Sequence, residues 1–523
     1  MKRSLPLIAL LGVIFALTHQ AHAQRGELSA HSAQRVGLET VWSKAIPTGL
    51  GGKISGVTVY VSPKQTYQGS AVVDKFGRRT FFSDRTVPVS RRSSYDQTQR
   101  LSDLKKAELE ARGYDPKTEV KQIPNVTVYI RSTAGTVTSL DAETGQENWT
   151  TVAGTPGYPS YSVSASDDYA VTISGSTMYL LDAVSGEVLD TKSMRLIPGA
   201  TPTVDGEFIY VPTSKGLVEV YSVNDINSLE FTIGSSGRIT TPITTSPNTA
   251  SSATARGHIY VANAGAPGLI YHFKSLDQIS ASPVFMNNTL FATSIDGFAY
   301  AIDESSGDVK WRYAAGGPIE EAPLAVEACV YVTTTDGQMA ALDADSGKAK
   351  WLASGVDRFV SVSDSTVYAI TNGEMLTAID KTSGARIGSA PIGQLGLPVT
   401  NTNSDRVYLV TNSGVLHCLR EPNNRFPIAR IPAIREEKPK ATKEETTDVV
   451  PTATDSPSAD QEESAGNDPF GDLETVDESE TSGDTEDAGD DPFGDGGDDP
   501  FGGGGAEEDF GDMGDDEDPF GGF

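Results

Sequence analysis

Short apolar runs separated by tight-turn signals recur along residues 125–420. The most regular copy reads Val330-Tyr-Val-Thr-Thr-Thr-Asp336-Gly337, then Gln338-Met-Ala-Ala-Leu-Asp343, then Ala344-Asp-Ser-Gly347, then Lys348-Ala-Lys-Trp351. This order of apolar runs and turn residues predicts a strand, a tight Asp-Gly hairpin, a second strand, an Asp-x-x-Ser-Gly turn and an outer strand. A proline begins the innermost strand of several copies, where a missing N–H does not break the ladder. These prolines are Pro202, Pro283, Pro323 and Pro398.

The repeat has the length of one propeller blade. The residue that ends its second strand is an aspartate in five copies, and degenerate copies place Ser222, His272 and Arg420 in the same position. The steps between the eight positions are 41, 40, 50, 31, 40, 37 and 40 residues. A period near 40 residues is typical of a four-stranded blade. The sequence therefore predicts an all-β fold, an eight-bladed β-propeller, with a seven-bladed propeller as the alternative.

The repeated aspartates are each followed by a glycine four residues later. Asp can accept hydrogen bonds from N–H groups two or three residues on, and Gly supplies the positive φ that closes the turn. Because the aspartate recurs in one slot, we interpret it as a turn cap and not as a catalytic carboxylate. The pairs are Asp141 and Gly145, Asp182 and Gly186, Asp303 and Gly307, Asp343 and Gly347, and Asp380 and Gly384.

The chain has four tryptophans, Trp42, Trp149, Trp311 and Trp351, and each follows a turn glycine. At the outer-strand position an indole is expected to pack one blade on the next, although a cofactor box is an alternative. Trp42 has no repeat body in front of it, whereas the last copy, residues 407–419, has no tryptophan strand after it. We expect the strand around Trp42 to complete the last blade and close the ring.

The unit Tyr-Val-x-x-x-x-Gly-x-x-x-Ala-Leu-Asp-x-x-Ser-Gly-x-x-x-Trp resembles the pyrroloquinoline-quinone-like propeller repeat. Eight copies behind an export signal resemble the BamB-type propellers of outer-membrane assembly. The resemblance implies the fold and a non-enzymatic scaffold, but the same repeat also serves quinone-dependent dehydrogenases. For a dehydrogenase the resemblance implies adjacent cysteines beside the quinone, together with carboxylates and an asparagine around calcium. Cys329 and Cys418 lie 89 residues apart, so we expect no enzyme activity and no cofactor.

The two cysteines exclude a disulfide scaffold, and we expect them to be buried small side chains, with a redox pair as the alternative. The histidines of the mature chain have no metal-ligand spacing, so no metal site is predicted. Lys2 and Arg3, the apolar run 5–17 and the Ala21-His-Ala23 triplet predict a signal peptide over residues 1–23, with an uncleaved anchor as the alternative. We expect a protein of the periplasm or another exported space, soluble after cleavage and without a transmembrane span.

Charge separates the chain into two parts. Asp and Glu total 71 against 41 Lys and Arg, and residues 451–523 hold 26 of the acids and no base. The acidic balance argues against nucleic acid as a partner. Residues 431–523 are expected to be a disordered acidic Asp/Gly-rich tail. Its Asp-Pro-Phe-Gly repeats either make weak multivalent contacts or only solubilise the chain, and begin at Asp468, Asp491, Asp499 and Asp518.

The propeller is expected to span residues 24–430, with a basic insertion at 62–124 that holds 13 bases and 8 acids. A helix is predicted over Gln99–Arg112, with Leu101, Leu104 and Leu109 on one side. The insertion is either a docking arm for an acidic partner or for the tail, or a solvated excursion packed against one blade. For the whole chain we expect an exported, BamB-like scaffold that binds other proteins, with outer-membrane protein assembly as its candidate role. The alternatives are a quinone-dependent dehydrogenase and a cell-surface or matrix protein that binds through its tail.

Overall fold

A computed structural model of the protein describes residues 28–85, 94–393 and 395–431. The predicted signal peptide and the acidic tail from residue 432 onward lie outside the described residues. Strands dominate the described part, which forms eight antiparallel sheets and confirms the all-β propeller class. Helix α1 spans Ala30–Arg35 and strand β1 spans Glu39–Ala45.

Sheet 1 has five strands and carries the second helix. Its elements are β2 (Ile54–Val73), β3 (Arg79–Ser83), α2 (Ser94–Ala111), β4 (Lys117–Ser132), β5 (Thr136–Asp141) and β6 (Glu147–Val152). Sheets 2 and 3 each have four strands in chain order. They are β7 (Ser164–Ala165), β8 (Tyr169–Ser174), β9 (Thr177–Asp182), β10 (Val188–Ser193), β11 (Thr203–Asp205), β12 (Phe208–Pro212), β13 (Leu217–Ser222) and β14 (Asp225–Gly234).

Sheets 4 to 6 repeat the same order from inner to outer strand. Their strands are β15 (Thr244–Thr245), β16 (Thr249–Ala253), β17 (His258–Asn263), β18 (Leu269–Lys274), β19 (Val284–Met286), β20 (Thr289–Thr293), β21 (Phe298–Asp303), β22 (Val309–Ala314), β23 (Leu324–Val326), β24 (Cys329–Thr333), β25 (Gln338–Asp343) and β26 (Ala349–Ser354). Sheets 7 and 8 complete the described residues. They contain β27 (Val356–Val362), β28 (Thr366–Thr371), β29 (Met375–Asp380), β30 (Arg386–Pro391), β31 (Leu395–Pro398), β32 (Val407–Thr411) and β33 (Val415–Arg420). Pro398 ends its inner strand, whereas Pro202, Pro283 and Pro323 directly precede theirs.

Sheet 8 takes its outer strand from the other end of the chain. Strand β1 pairs antiparallel with β33, which places Trp42 opposite Cys418 and Ala45 opposite Val415. The ring closure expected from the sequence is therefore confirmed. Pairing the two chain ends removes an open sheet edge, which would otherwise be free to pair with another chain.

The core lies between neighbouring sheets, so the middle strands are apolar on both faces. In β24, Val330 packs towards sheet 5 while Tyr331 packs towards sheet 7. Hydroxyl groups on the innermost strands join neighbouring sheets near the axis of the ring. Thr203 donates to the Ile243 carbonyl at 2.7 Å, and Thr244 donates to the Pro283 carbonyl at 2.7 Å.

Sheet 7 joins sheet 8 without the tryptophan that sheets 1, 5 and 6 use. The outer strand β30 has Gly388 where a tryptophan lies in sheets 1, 5 and 6. Helix α1 occupies this place, and a Cβ on Gly388 would clash with the Arg35 carbonyl. Ala33 and Val36 of this N-terminal segment are buried in the core between the two sheets.

The predicted insertion is continuous with sheet 1. Strands β2 and β4 continue their pairing as far as Val73 opposite Lys117, and β3 adds an edge strand to this extension. We call residues 62–85 and 94–124 the arm. Helix α2 belongs to the arm, packs on its strands β2 and β3, and begins five residues earlier than predicted. Leu109 is buried, but Leu101 and Leu104 are exposed, because the buried side of the helix instead follows Thr98, Ser102 and Leu109.

The last described residues, 421–431, form a strap between sheet 8 and the arm. Arg406, itself buried, donates to the carbonyls of Asn424 and Arg425 at 2.9 Å each. Its partner Asp405 accepts from the Ile428 N–H at 3.0 Å. The ring of Phe426 packs edge-on against Phe81 of the arm, at 5.1 Å between ring centroids. The strap thus connects the arm to the last sheet.

The register corrects one position of the sequence alignment. In sheet 4 the strand-ending position belongs to Asn263, which pairs with Thr249 as Asp303 pairs with Thr289. His272 lies instead on the outer strand β18, opposite Tyr260. With Asn263 in the slot, the irregular steps of 50 and 31 residues become 41 and 40. Among the described residues, no helix is long and apolar enough to span a bilayer.

Candidate protein-binding face

One face of the ring is built from two sets of loops. The hairpins between the two middle strands of each sheet lie beside the connections that run from an outer strand to the next inner strand. In sheet 5, for example, the Ala315 N–H donates to the Gly297 carbonyl at 2.9 Å, and the Thr335 N–H of sheet 6 donates to the Pro318 carbonyl at 2.9 Å. We call this surface the hairpin face.

Six of the eight hairpins, those of sheets 1, 3, 4, 5, 6 and 8, have one local geometry because they share a Ser/Thr-x-x-Gly pattern. In sheet 6 the Gly337 N–H donates to the Thr334 carbonyl at 3.0 Å, and the Thr334 N–H donates to the Gln338 carbonyl at 2.8 Å. Gly337 has a φ of +78°, which is why a glycine follows the tip residue. The residue before that glycine is held at the tip and varies between sheets, which makes it a natural position for recognition.

Charge on the hairpin face is divided into two halves. The loops and hairpins from sheet 8 round to sheet 4 present exposed cations, whereas those from sheet 4 round to sheet 7 present carboxylates. The cations are Lys53, Arg195, Lys215, Arg238 and Arg256. The carboxylates are Asp277, Asp296, Glu320, Glu321, Asp336 and Asp357. The two halves give this face opposite potentials across the ring.

Side-chain donors within the acidic half hold Glu321 and Asp296 in place. Arg358 donates to Glu321 at 2.6 Å, and the Tyr300 hydroxyl donates to Asp296 at 2.7 Å. Burial and this bond to Asp296 together raise the pKa of Tyr300, which keeps the hydroxyl protonated as a donor. Asp277, Glu320, Asp336 and Asp357 are exposed to solvent.

Large apolar side chains stand between the charged groups of the hairpin face. Ile197 is 71% exposed and Leu276 is 80% exposed, in the connections that follow sheets 2 and 4. Leu50 and Tyr158 are exposed in the connections that lead into sheets 1 and 2. Exposed apolar side chains ringed by charges are characteristic of protein interaction sites.

The aspartates predicted from the sequence lie at the opposite ends of the sheets. In all five turns the aspartate carboxylate accepts from the N–H three residues on, at 2.6–3.1 Å. The turn glycine N–H donates to the carbonyl of the same aspartate at 2.9–3.0 Å. Hydrogen bonds from Ser185, Ser305, Ser346 and Ser383 hold down the pKa of the aspartates Asp182, Asp303, Asp343 and Asp380 respectively. These carboxylates therefore cap the turns, as the sequence predicts.

Each tryptophan lies on a turn glycine of the next sheet. The indole N–H donates to a turn carbonyl at 2.7–2.9 Å, and a Cβ on the glycine would come within 3 Å of the ring. The contacts are Trp42 on Gly145, Trp149 on Gly186, Trp311 on Gly347, and Trp351 on Gly384. Tyr271 makes the corresponding contact with Gly307, and its hydroxyl donates to the Asp303 carbonyl at 3.2 Å. The sequence pattern does not reveal Tyr271, because a tyrosine stands here at a position where other sheets have tryptophan.

The cysteines lie in different sheets and are both free thiols. Burial raises the pKa of Cys418 to about 12, so this thiol stays protonated. Lys350 lies 3.3 Å from the Cys329 sulfur, and Lys310 makes the equivalent contact with Thr289 in sheet 5. Cys329 thus occupies a position of the structural repeat. The described residues contain no cluster of side chains arranged to bind a metal ion.

A polar cleft of about 320 Å³ lies at the base of the arm, on the side away from the hairpin face. Asp167 at its wall accepts a hydrogen bond from Ser62, and Arg85 forms a salt bridge with Asp141 at 3.3 Å. Since these charged groups already have partners within the chain, the hairpin face is the stronger candidate for binding a partner.

Antiparallel sheets of four or five strands, five of whose junctions carry an aromatic-on-glycine contact, and a ring closed by an N-terminal strand define the protein as a β-propeller. The chain belongs to the family described as outer membrane protein assembly factor BamB, whose model matches residues 103–265 and 251–426, more than half of the chain. The family resemblance inferred from the repeat is thereby confirmed. No curated protein has a matching sequence.

Several solved structures are similar to this one. The crystal structure of BamB from Moraxella catarrhalis is 15% identical and matches 56% of this chain and 93% of its own, with a TM-score of 0.47. The computationally designed Ika8 protein is 15% identical, with 56% and 92% covered and a TM-score of 0.46. A chain of the mitotic checkpoint complex is 13% identical, with 51% and 89% covered and a TM-score of 0.41.

Proposed function

We propose that the protein is an exported scaffold that binds other proteins through its hairpin face and takes part in the assembly of outer-membrane proteins. The observation that carries this proposal is the division of the hairpin face into a basic and an acidic half, with exposed apolar side chains between them. The description of the family supports the assembly role.

The charge pattern defines the partner surface that would fit. Carboxylates of the partner would face Arg195, Lys215 and Arg256, and its cations would face the acidic half. An apolar segment would contact Ile197 and Leu276. Such complementarity steers the encounter and sets the orientation of the partner. The rigid sheets hold the loops in place before binding, which lowers the entropic cost of association.

We propose that this function requires no catalysis and no nucleic acid. The repeated aspartates are occupied as turn caps, Cys418 is a buried protonated thiol, and Cys329 belongs to a repeated lysine contact. A quinone-dependent dehydrogenase stays an alternative only through the shared repeat. An absorbance titration of the purified protein with pyrroloquinoline quinone and calcium distinguishes the two, since a scaffold leaves the quinone spectrum unchanged.

Charge reversal on the hairpin face tests the binding role. The variant Arg195→Glu, Lys215→Glu, Arg256→Glu changes three exposed loop residues, and the matched control Lys348→Glu changes an exposed lysine in an aspartate turn of the opposite face. Affinity for the outer-membrane assembly proteins of the producing cells should fall roughly tenfold or more in the triple variant. The control should bind like the wild type. Equal binding by the triple variant and the wild type would refute the role of this face.

A further inference from the structure

The tip of the arm is a turn that its own residues fix in one conformation. The Asp74 carboxylate accepts from the N–H groups of Phe76 and Arg78 at 2.8 and 2.9 Å, and the Arg78 guanidinium donates to it at 2.7 Å. Gly77 has a φ of +77°, so the turn needs a glycine at this position. The turn therefore presents Phe76 in a defined orientation.

Phe76 is exposed although it is a large apolar side chain. It is 65% accessible to solvent, and its ring contacts Tyr114 edge-on at 5.9 Å between centroids. Cations surround the two rings. The Lys75 ammonium lies 4.3 Å from the centre of the Tyr114 ring, and the Arg78 guanidinium lies 5.2 Å from the centre of the Phe76 ring.

The tip is positively charged in a chain whose net charge is −30. Residues 74–79 and 112–117 hold the cations Lys75, Arg78, Arg79, Arg112 and Lys117, against the two acids Asp74 and Asp115. The paired stretch from Thr66 to Val73 carries this tip about 25 Å along the strands beyond the start of the extension. The arm thus places a cationic, aromatic tip away from the core of sheet 1.

We propose that the tip of the arm binds the surface of an anionic lipid bilayer. Cations attract anionic headgroups, and an aromatic ring at the tip can enter the boundary between headgroups and acyl chains. A Cβ on Gly77 or Gly113 would meet no atom within 4 Å, so both turns of the tip are open to solvent. A flat bilayer surface can therefore reach the exposed ring of Phe76 and the cations beside it.

Flotation of the purified full chain with lipid vesicles tests this proposal. Vesicles of phosphatidylcholine alone are compared with vesicles that contain phosphatidylglycerol, at low and high salt. The wild type should float with the anionic vesicles only, and high salt should weaken binding because ions screen the charges. Phe76→Ser should reduce binding roughly tenfold, since it removes the exposed ring that would enter the bilayer. Phe76→Trp should keep it.

Two further variants separate the tip from the rest of the surface. Lys75→Glu with Lys117→Glu, which leaves the Asp74–Arg78 contacts in place, should abolish flotation with the anionic vesicles. Val184→Ser removes a side chain that is 71% exposed in an aspartate turn and should float like the wild type. Thermal unfolding of each variant checks that the fold is kept. The proposal is overturned if the wild type does not float, if the tip variants float unchanged, or if the tip captures only an acidic protein.

Discussion

The indole of Trp42 lies against Gly145, so the N-terminal strand of the chain is joined to sheet 1 as well as to sheet 8. The Trp42 N–H donates to the Ala142 carbonyl at 2.9 Å, and a Cβ on Gly145 would come within 2.6 Å of the ring. Strand pairing with β33 and this contact together close the ring. The same contact recurs elsewhere between sheets that are already adjacent in the chain, whereas here it joins the two ends.

Removing the indole at the closure should destabilise the whole ring. We expect Trp42→Ala to lower the free energy of unfolding by about 3 kcal/mol, because a large, half-buried aromatic contact is lost. Trp42→Phe keeps the ring contact but loses the indole hydrogen bond, so it should cost about 1 kcal/mol from that bond, plus the smaller contact area. Urea unfolding measures both. A wild-type unfolding midpoint for Trp42→Ala would show that the closure does not depend on this side chain.

Two glycines allow the cost of backbone strain to be measured separately from the cost of a steric clash. Gly347 has a φ of +68° and lies under Trp311, where a Cβ would come within 2.5 Å of the indole. Gly373 has a φ of +72° with no atom within 4 Å of a Cβ. Gly373→Ala should cost about 1 kcal/mol from the φ alone. Gly347→Ala should cost about 1–3 kcal/mol more, because the indole must move. Chemical denaturation of both variants gives this difference, and equal costs would contradict it.

Acid should weaken the aspartate turns. Two side-chain hydrogen bonds lower the pKa of Asp303 in the folded protein. The larger effect comes from Ser305 and the smaller one from Lys310. The unfolded chain, with a pKa near 3.9, then binds more protons, so this contribution is present above about pH 4 and is lost as the pH falls further. Asp303→Asn should make the loss of stability between about pH 5 and pH 3 shallower, and Ser305→Ala should do so by less. Unfolding at several pH values measures the slope; an unchanged slope in Asp303→Asn would contradict this.

Replacing only one member of the buried pair Asp405 and Arg406, which holds the strap, should strongly destabilise the protein. Asp405 and Arg406 are both buried, and burial raises the pKa of Asp405 although Arg406 opposes this. Arg406→Met should destabilise the protein by about 3–5 kcal/mol, because it leaves a buried carboxylate without its cation. It should also speed hydrogen exchange at the Ile428 amide. The double variant with Asp405→Asn should recover part of the stability, and a double variant as unstable as Arg406→Met would argue against this reason.

Much of the fold is visible in the sequence because local signals agree. The spacing from Asp343 to Trp351 marks a turn and an outer strand without any long-range information, and the isolated Trp42 indicates the closing strand. In sheet 4 the sequence assigns the strand-ending position to His272 and not to Asn263, because an asparagine replaces the aspartate there and the turn that follows is longer. Tyr271 replaces a tryptophan there, which weakens the pattern further.

The candidate face and the arm depended on contacts that a linear pattern does not show. Arg195, Arg256 and Asp336 lie in separate copies, and only the ring brings them to one face with opposite charges on its two sides. The sequence does not reveal the extension of β2, because its partner β4 follows only after another strand and a helix. In that helix, the spacing of Leu101 and Leu104 is typical of a buried side, but the residues buried against the strands of the arm are Thr98, Ser102 and Leu109.

Photo-crosslinking in the cells that make the protein tests the binding face most directly. A photoreactive amino acid is placed at Ile197 or Leu276 on the hairpin face, and at Val184 in an aspartate turn as the comparison. The account predicts that the first two positions crosslink to the same outer-membrane assembly protein and that Val184 does not. Crosslinking of that protein from Val184, or from neither hairpin-face position, would contradict it.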